Sequence, residues 1–314
     1  MAAPPLHPTD DVPDLPAGYD TREPALDDAA RVLHVVGSCE AAELGEAQVD
    51  LEDILGDWRR PGVDVARDGV FVVDQDGEPA GYAELFNGRA EGNVLPEHRG
   101  RGIGTWLAAW IERRARSAGT DFVRQVVPAG AVDRLELLAA AGYERSDTAW
   151  ELQIALPAAV DRPAAGASIE VRDFRPGVDD AAVFQLIEDA FSHWPNRAPN
   201  ALEGWRANTV TRAGFEPWLL PLAWDPDGEL VGAAYCIDYP DDGFTWIQQL
   251  ATRVDRQGRG IGTTLLAECF ERFASRGRTT AGLSTDSRTG ALGLYERVGM
   301  RVIREFAGHS LSVD

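Results

Sequence analysis

The residues with the sharpest chemical character form one short run, Gln257-Gly258-Arg259-Gly260-Ile261-Gly262-Thr263. Glycines at this density, set between an apolar strand and an amphipathic helix, leave backbone N–H groups exposed at the positive end of a helix dipole. Such a place suits an anion, above all a phosphate. Without Cβ atoms the backbone can also approach its ligand closely. The run is not a P-loop, which needs Gly-Lys-Ser/Thr, because the chain contains no lysine. Nor is it a dinucleotide turn, where a strand leads straight into the first glycine of G-x-G-x-x-G; here the polar run Arg253-Val254-Asp255-Arg256 intervenes.

The elements that must hold this turn are legible on either side. Phe244 to Leu250 is aromatic and aliphatic, which predicts a strand. From Ile261 onward Leu265, Leu266, Cys269, Phe270 and Phe273 recur at helical spacing, so one helix face is buried. The same unit occurs earlier, as Arg99-Gly100-Arg101-Gly102-Ile103-Gly104-Thr105, at an offset of 158 residues. Other matches are co-linear with it: Asp74 to Glu78 with Asp225 to Glu229 as hairpin turns, Asp28-Ala29-Ala30 with Asp180-Ala181-Ala182 as helix starts, and Ala141-Gly142-Tyr143 with Val298-Gly299-Met300. The chain therefore reads as a tandem duplication. The alanine- and proline-rich stretch from Leu156 to Ser168 reads as the boundary, with an N-terminal domain at 1–157, a linker at 158–167 and a C-terminal domain at 168–314. Each half gives strand, helix, helix, hairpin strands, strand, glycine turn, helix, strand, helix, strand. Hairpins mixed with a single β-loop-helix-β crossover predict an α+β fold built on a mixed, mostly antiparallel sheet flanked by helices.

The order Gln-x-x-Gly-x-Gly resembles the acetyl-CoA pyrophosphate loop of the GNAT superfamily of N-acetyltransferases, Q/R-x-x-G-x-G/A. Downstream, the stretch from Leu283 to Met300 is similar to the family's second motif, N-x-x-A-x-x-x-Y-x-x-x-G-F, with Ala291, Tyr295 and Gly299 in register. The chain thus resembles tandem-domain GNAT proteins, with a mycothiol-synthase-like duplication. The resemblance implies acetyl-CoA as co-substrate, a small-molecule amine as acceptor, and direct transfer without an acyl-enzyme. It implies that Leu250, Ala251 and Thr252 offer backbone groups to pantetheine and thioester, that Gln257 to Thr263 hold the pyrophosphate, and that Tyr295 serves the departing thiolate. Arg288 stands where the family has asparagine and could pair with a phosphate. The first half keeps its turn, Arg99 to Gly104, as a second cofactor loop, but carries Leu138 in the place of the tyrosine. It therefore reads as a degenerate domain that helps wall the acceptor pocket, with a second active site using another acid as the alternative.

A base to deprotonate the acceptor is the open question. Many relatives use a glutamate on the strand before the turn, where this chain has Gln248 and Gln249. Asp238, His193 and His309 are the candidates, and a water relay to solvent would need none of them. Trp194, Trp205, Trp218 and Trp224 are expected either to shape an acceptor pocket or to fill a core between the domains.

Composition narrows the classes. A formal charge of −21 over 314 residues argues against nucleic acid and anionic membrane as partners. Residues 251–304 reverse the sign, with ten arginines against five acids, as a polyanionic cofactor would favour. Cys39, Cys236 and Cys269 lack metal-ligand spacing and read as buried thiols of a cytoplasmic protein, with no metal expected. The first twenty residues lack a secretory pattern and read as a proline-stiffened lead-in. A monomer or homodimer is expected. A non-catalytic CoA-binding or interaction protein is the alternative function.

Overall fold

Strands and helices follow the apolar spacing. In the computed structural model, which describes residues 13–60, 62–163, 168–192 and 201–313, the chain forms two units, Met1–Thr148 with Glu305–Asp314, and Ala149–Arg304. His193 and Trp194, most of the N-terminal lead-in and residues 164–167 lie outside the described residues.

The first unit runs β1 (Asp20–Arg22), α1 (Ala29–Leu44), α2 (Leu51–Trp58), α3 (Val65–Asp68), β2 (Gly69–Val73), β3 (Pro79–Phe86), β4 (Arg89–Val94), α4 (Ile103–Ala118), β5 (Phe122–Pro128), α5 (Val132–Ala140) and the start of β6 (Glu144–Ala155). The second runs β7 (Glu170–Asp173), α6 (Asp180–Phe191), α7 (Leu202–Asn208), β8 (Pro221–Trp224), β9 (Leu230–Tyr239), β10 (Phe244–Thr252), α8 (Ile261–Ser275), β11 (Thr280–Asp286), α9 (Leu292–Arg297) and the start of β12 (Arg301–Ser312). Apart from the short α3, which has no α-helical counterpart in the second unit, the order is the same in both, the structural face of the duplication. Even the hairpins match: Asp74 accepts from the N–H groups of Asp76 and Glu78, and Asp225 from those of Asp227 and Glu229.

Each unit has a mixed sheet in which, among the described residues, the strands flanking the turn-helix crossover, β4/β5 and β10/β11, pair in parallel. Alternate residues feed opposite faces. In β2, Val70 and Val72 pack with Ile103, Leu107 and Ile111 of α4, whereas Phe71 and Val73 pack with Val32, Val35 and Trp58 of α1 and α2. In the second unit Leu266, Phe270 and Phe273 of α8 pack on one face, with Ile187, Trp205 and Leu222 in the cluster on the other. Trp205 and Trp218 fill these two clusters within the second unit, so they are not a core between domains. All three cysteines are buried and free.

The units are not consecutive halves. Phe306–Ser312 of β12 pair with β5 and belong with the first unit, while Ala149–Ala155 of β6 pair with β11 and belong with the second. A cut at 158–167 thus misplaces the last strand of each half. Composition marks a weakly periodic stretch but carries no information on which strand the neighbouring one pairs with. Within that stretch Leu156, Ala158 and Val160 pack against the second unit's core, and Arg162 pairs with Glu268 and Glu271 of α8.

Candidate functional site

The second unit is built around a split in its sheet. β10 pairs with β11 only from Phe244 to Trp246, opposite Thr280 to Gly282, and then runs on beside β9 alone. Gln248 is the bulged residue where the register with β9 shifts. Beyond it, the Arg253 N–H donates to the Val231 carbonyl. By antiparallel alternation this turns the backbone groups of Gln249 and Ala251 to β9, and those of Leu250 and Thr252 to the opposite edge. There the peptide groups of Leu250 and Thr252 have no partner among the described residues. Such an edge can bond an extended ligand that carries amides, as an added strand does. Ala251 is excluded from that role because its backbone lies in the β9 ladder.

The turn follows directly. After a short 3-10 segment, Val254–Arg256, the chain reverses through Gly258 and Gly260, with φ of 72° and 80°. Only glycine takes these angles without strain. The N–H groups from Gly258 to Thr263 have no acceptor among the described residues, whereas that of Gln257 donates to Val254. The amide cradle therefore starts one residue later than the motif. At Gly262 a Cβ would lie 3.3 Å from Leu294 and 3.8 Å from Leu250, so this glycine seats the helix against α9 and β10.

Most of the local arginines are already paired. Arg253 and Arg256 bind Asp255 and Asp225, Arg272 binds Asp173 and Glu268, Arg278 binds Asp238, and Arg304 binds Glu151. Arg288 donates to Asp286 from its guanidinium at 2.5 Å and from its N–H at 2.9 Å, so its charge is tied down. Arg259, exposed in the turn itself, has no ion pair among the described residues. The reversal of charge in this region is thus largely internal bookkeeping of ion pairs, with Arg259 the arginine left for an anion at the turn.

Tyr295 is placed by a helix C-cap. The Met300 N–H donates to the Tyr295 carbonyl at 3.1 Å and the Gly299 N–H to Glu296 at 3.0 Å, with Gly299 at φ 94°. The Y-x-x-x-G spacing is therefore a Schellman motif with the tyrosine three residues before the cap. The first unit repeats it with Gly142 at φ 84° and the Tyr143 N–H donating to Leu138. This confirms that Leu138 occupies the tyrosine's place. Tyr295 is 8% exposed, its hydroxyl makes no hydrogen bond among the described residues, and burial pushes its pKa up to about 12.

Two of the three base candidates, Asp238 and His309, lie among the described residues. Asp238 holds a two-pronged pair with Arg278, both bonds at 2.7 Å, which keeps its carboxyl below the usual range. It sits opposite Thr245 at the far end of β10 from the turn. His309 pairs with Gln125 in the first unit's sheet. Gln249 has a buried Oε1 without a partner among the described residues, on the face that carries Tyr235.

The first unit repeats the split, since β4 and β5 pair only at Arg89 and Arg124. A cleft of about 570 Å³ opens beside its turn, lined by Gly92, Asn93, Arg99, Gly102, Gly104 and Arg134 among others. Here, however, the strand edge is occupied by the unit's own side chains. The Gly92 carbonyl accepts from Arg134 at 3.2 Å, and that of Val94 accepts from Arg99 and from the Cys39 thiol, both at 3.2 Å. Glu43 ties Arg99 to Arg134, at 2.9 Å each. Arg101, the counterpart of Arg259, donates to the Tyr19 hydroxyl and the Glu97 carbonyl. Glu43 and Arg134 escape a sequence reading because nothing local marks them as partners.

The acetyltransferase (GNAT) family matches residues 40–133 and 181–300, each span holding one of the two glycine turns. The chain belongs to this family. Among its relatives, a mycothiol acetyltransferase of Kineococcus radiotolerans is 34% identical over 216 residues, covering 66% of this chain and 69% of that one. A mycothiol acetyltransferase of Streptomyces griseus is 28% identical over 246 residues, 74% and 77% of the two chains. The crystal structure of a GCN5-related N-acetyltransferase from Sphaerobacter thermophilus superposes with a TM-score of 0.79 at 32% identity, covering 96% of this chain and 97% of that one. This GNAT chain is accordingly an acetyltransferase with two GNAT segments. Among its described residues no helix is long and apolar enough to cross a membrane.

Proposed function

We propose that the second unit transfers the acetyl group of acetyl-CoA directly to the primary amine of a small molecule, both reactants being bound together, and that the first unit is the non-transferring partner. The observation that carries this reading is the open edge of β10. Leu250 and Thr252 present unpaired peptide groups beside an amide-lined turn, whereas the matching carbonyls of Gly92 and Val94 are taken by Arg134 and Arg99. The amides of Gly258 to Thr263, with Arg259, would hold the pyrophosphate, and the Leu250 and Thr252 edge the pantetheine amides. Acetyl-CoA supplies an activated thioester. The relatives named mycothiol acetyltransferase support a small-molecule acceptor.

The chain's own groups then have limited, specific tasks. Fixing both reactants supplies proximity, and an unpaired N–H on the β10 edge can bind the oxyanion as the C–N bond forms and the C–S bond breaks. Among the described residues Gln248 and Gln249 cannot take the acceptor's proton and Asp238 is locked to Arg278, which supports a water relay to solvent, with His193 the one candidate lying outside them. Tyr295 donates a hydrogen bond to the departing thiolate. With its pKa at about 12 it stays neutral. Handing its proton outright to a thiol of pKa roughly 8.5 would cost roughly 5 kcal/mol, so hydrogen bonding is its working mode.

Release of free CoA thiol from acetyl-CoA across a panel of primary amines tests the proposal. Amine-dependent release supports it. Tight binding of acetyl-CoA with no release on any amine would instead identify a non-catalytic CoA-binding protein.

A further inference from the structure

Two of the chain's three cysteines meet. Cys236 of β9 and Cys269 of α8 face each other where the helix packs on the strand in the second unit, with their Sγ atoms 4.0 Å apart. Both are buried, in one cluster with Leu266, Phe270 and Phe273 of α8 and Ile247 of β10. Cys39, the third, belongs to the first unit and donates to the Val94 carbonyl. Packing alone does not call for the pair, and the first unit is the internal comparison. The hairpin and glycine-turn matches, at offsets of 151 and 158 residues, put Leu85 of β3 and Ile111 of α4 in the same two places, both buried in that unit's core. One spot in the fold thus holds two branched aliphatic residues in one unit and two thiols in the other. Thiols fill less volume and are weak hydrogen-bonding groups, so they add little to a core. What two adjoining thiols can do, and Leu with Ile cannot, is form a covalent bond.

The pair joins the two elements that frame the proposed cofactor site. α8 begins at the amide turn, and Cys269 lies about 12 Å further along it. Cys236 stands across the ladder from Ile247, the last residue of β10 before the Gln248 bulge. The first turns of α8 already rest on β9, since a Cβ at Gly232 would lie 2.8 Å from Ile261 and 3.0 Å from Leu265. A disulfide holds its sulfurs about 2.05 Å apart, so a gap of roughly 2 Å has to close. Closing it draws the middle of α8 toward β9 while the first turns stay on Gly232, and the helix tilts about that contact. The turn at its start then shifts against the Leu250 and Thr252 edge. Gly262, seated against Leu294 and Leu250, leaves no slack to absorb the shift.

We infer that Cys236 and Cys269 are a redox switch, joined by a peroxide into a reversible disulfide that weakens acetyl-CoA binding at the turn, the latter effect resting on the function proposed for the second unit. One thiol takes an oxygen from the peroxide to become a sulfenic acid, and water leaves. The second thiol attacks that sulfur, the S–S bond forms, and a second water is expelled. The two sulfurs give up two electrons in all, and the breaking O–O bond takes them up. Two equivalents of an external thiol reverse the step through a mixed disulfide. Burial holds the Cys236 thiol well above its ordinary range, so the attack proceeds during openings of the α8 contact and is slow in the closed state.

The test holds the full chain with excess hydrogen peroxide until its labelling pattern is constant, then alkylates it in denaturant and maps its peptides. The Cys236 and Cys269 peptides should appear joined, with Cys39 outside the bridge and both thiols restored by dithiothreitol. Cys236→Ala and Cys269→Ala should give no joined peptide, and the wild-type map stands by itself if either variant misfolds. In amine acetylation, read as acetylated product, KM for acetyl-CoA should rise roughly fivefold or more on oxidation and return with dithiothreitol. Reduced Cys236→Ala should keep the wild-type KM and lose its response to peroxide. Absence of the joined peptide, a bridge through Cys39, or irreversible oxygen adducts on either cysteine without a bridge would overturn the inference, as would a KM unmoved by a formed bridge. A reduced protein that acetylates no amine would overturn the proposed function and with it the effect on KM, while the peptide map would still decide the disulfide.

Discussion

Tyr295→Phe isolates the proposed chemistry most narrowly. In the free protein the hydroxyl makes no hydrogen bond among the described residues, so its removal orphans no partner and the change in stability should be about 1 kcal/mol or less. The ring remains in the cluster with Phe270, Leu283 and Val298. What disappears is the one neutral donor that the proposed mechanism sets against a sulfur that becomes anionic. A hydrogen bond to a charged group contributes about 1.5–3 kcal/mol, which converts to a fall in kcat of roughly 10- to 150-fold. Because the interaction strengthens only as the thiolate leaves, KM for acetyl-CoA should move little. With its pKa pushed up to about 12, the tyrosine stays protonated through the assay range, so it should give the wild type no alkaline limb below about pH 10. Steady-state thiol release from pH 6 to 10 measures all three quantities. A kcat within twofold of wild type, or a loss confined to KM, would remove Tyr295 from the reaction.

Two further outcomes follow from the charges. Glu84 has its pKa raised from 4.5 to about 7, so the folded state holds a proton that the unfolded state gives up between those values. That contribution is fully present below 4.5 and is lost as pH rises through 7, by up to about 3 kcal/mol. The melting temperature of Glu84→Gln should therefore gain on wild type between pH 5 and pH 8, and a constant gap would refute the assignment. Asp238→Asn should leave kcat near wild type while destabilising the second unit by about 1–3 kcal/mol at pH 7, since it leaves the Arg278 charge unmatched in a half-buried place. Its carboxyl is held below the usual range, so this stabilisation is present above the ordinary carboxylate pKa and fades as pH falls through the folded value. Denaturant melts at pH 7 and pH 3 beside a rate assay check both parts, and a large loss of kcat would return Asp238 to the mechanism.

Much of the frame could be read before any coordinates. The two glycine turns, their helices and the Asp74 and Asp225 hairpins follow from local spacing, because turn geometry and helix burial are set within a few residues. The Tyr295 to Gly299 interval is legible for the same reason, being the footprint of one helix cap. Long-range pairing is not. The exchange of β6 and β12 between units, the Arg278 clamp on Asp238 and the Glu43 link to Arg99 and Arg134 all join residues far apart in the chain. Counting arginines near the turn suggested a broad cationic field, whereas the pairings leave Arg259 as the turn's own contribution. Which residues of β10 face outward depended on a register set by Arg253 and Val231. For that reason Leu250 and Thr252 are available and Ala251 between them is not.

The central claim, that transfer belongs to the second unit, is tested most directly by two matched substitutions. Gly260→Val and Gly102→Val each force a β-branched residue into φ of 80° or 90° at equivalent turns. Amine-dependent CoA release should vanish in the Gly260 variant and persist largely intact in the Gly102 variant, with both proteins folded. Activity that survives Gly260→Val and disappears with Gly102→Val would contradict the account and move the reaction to the first unit.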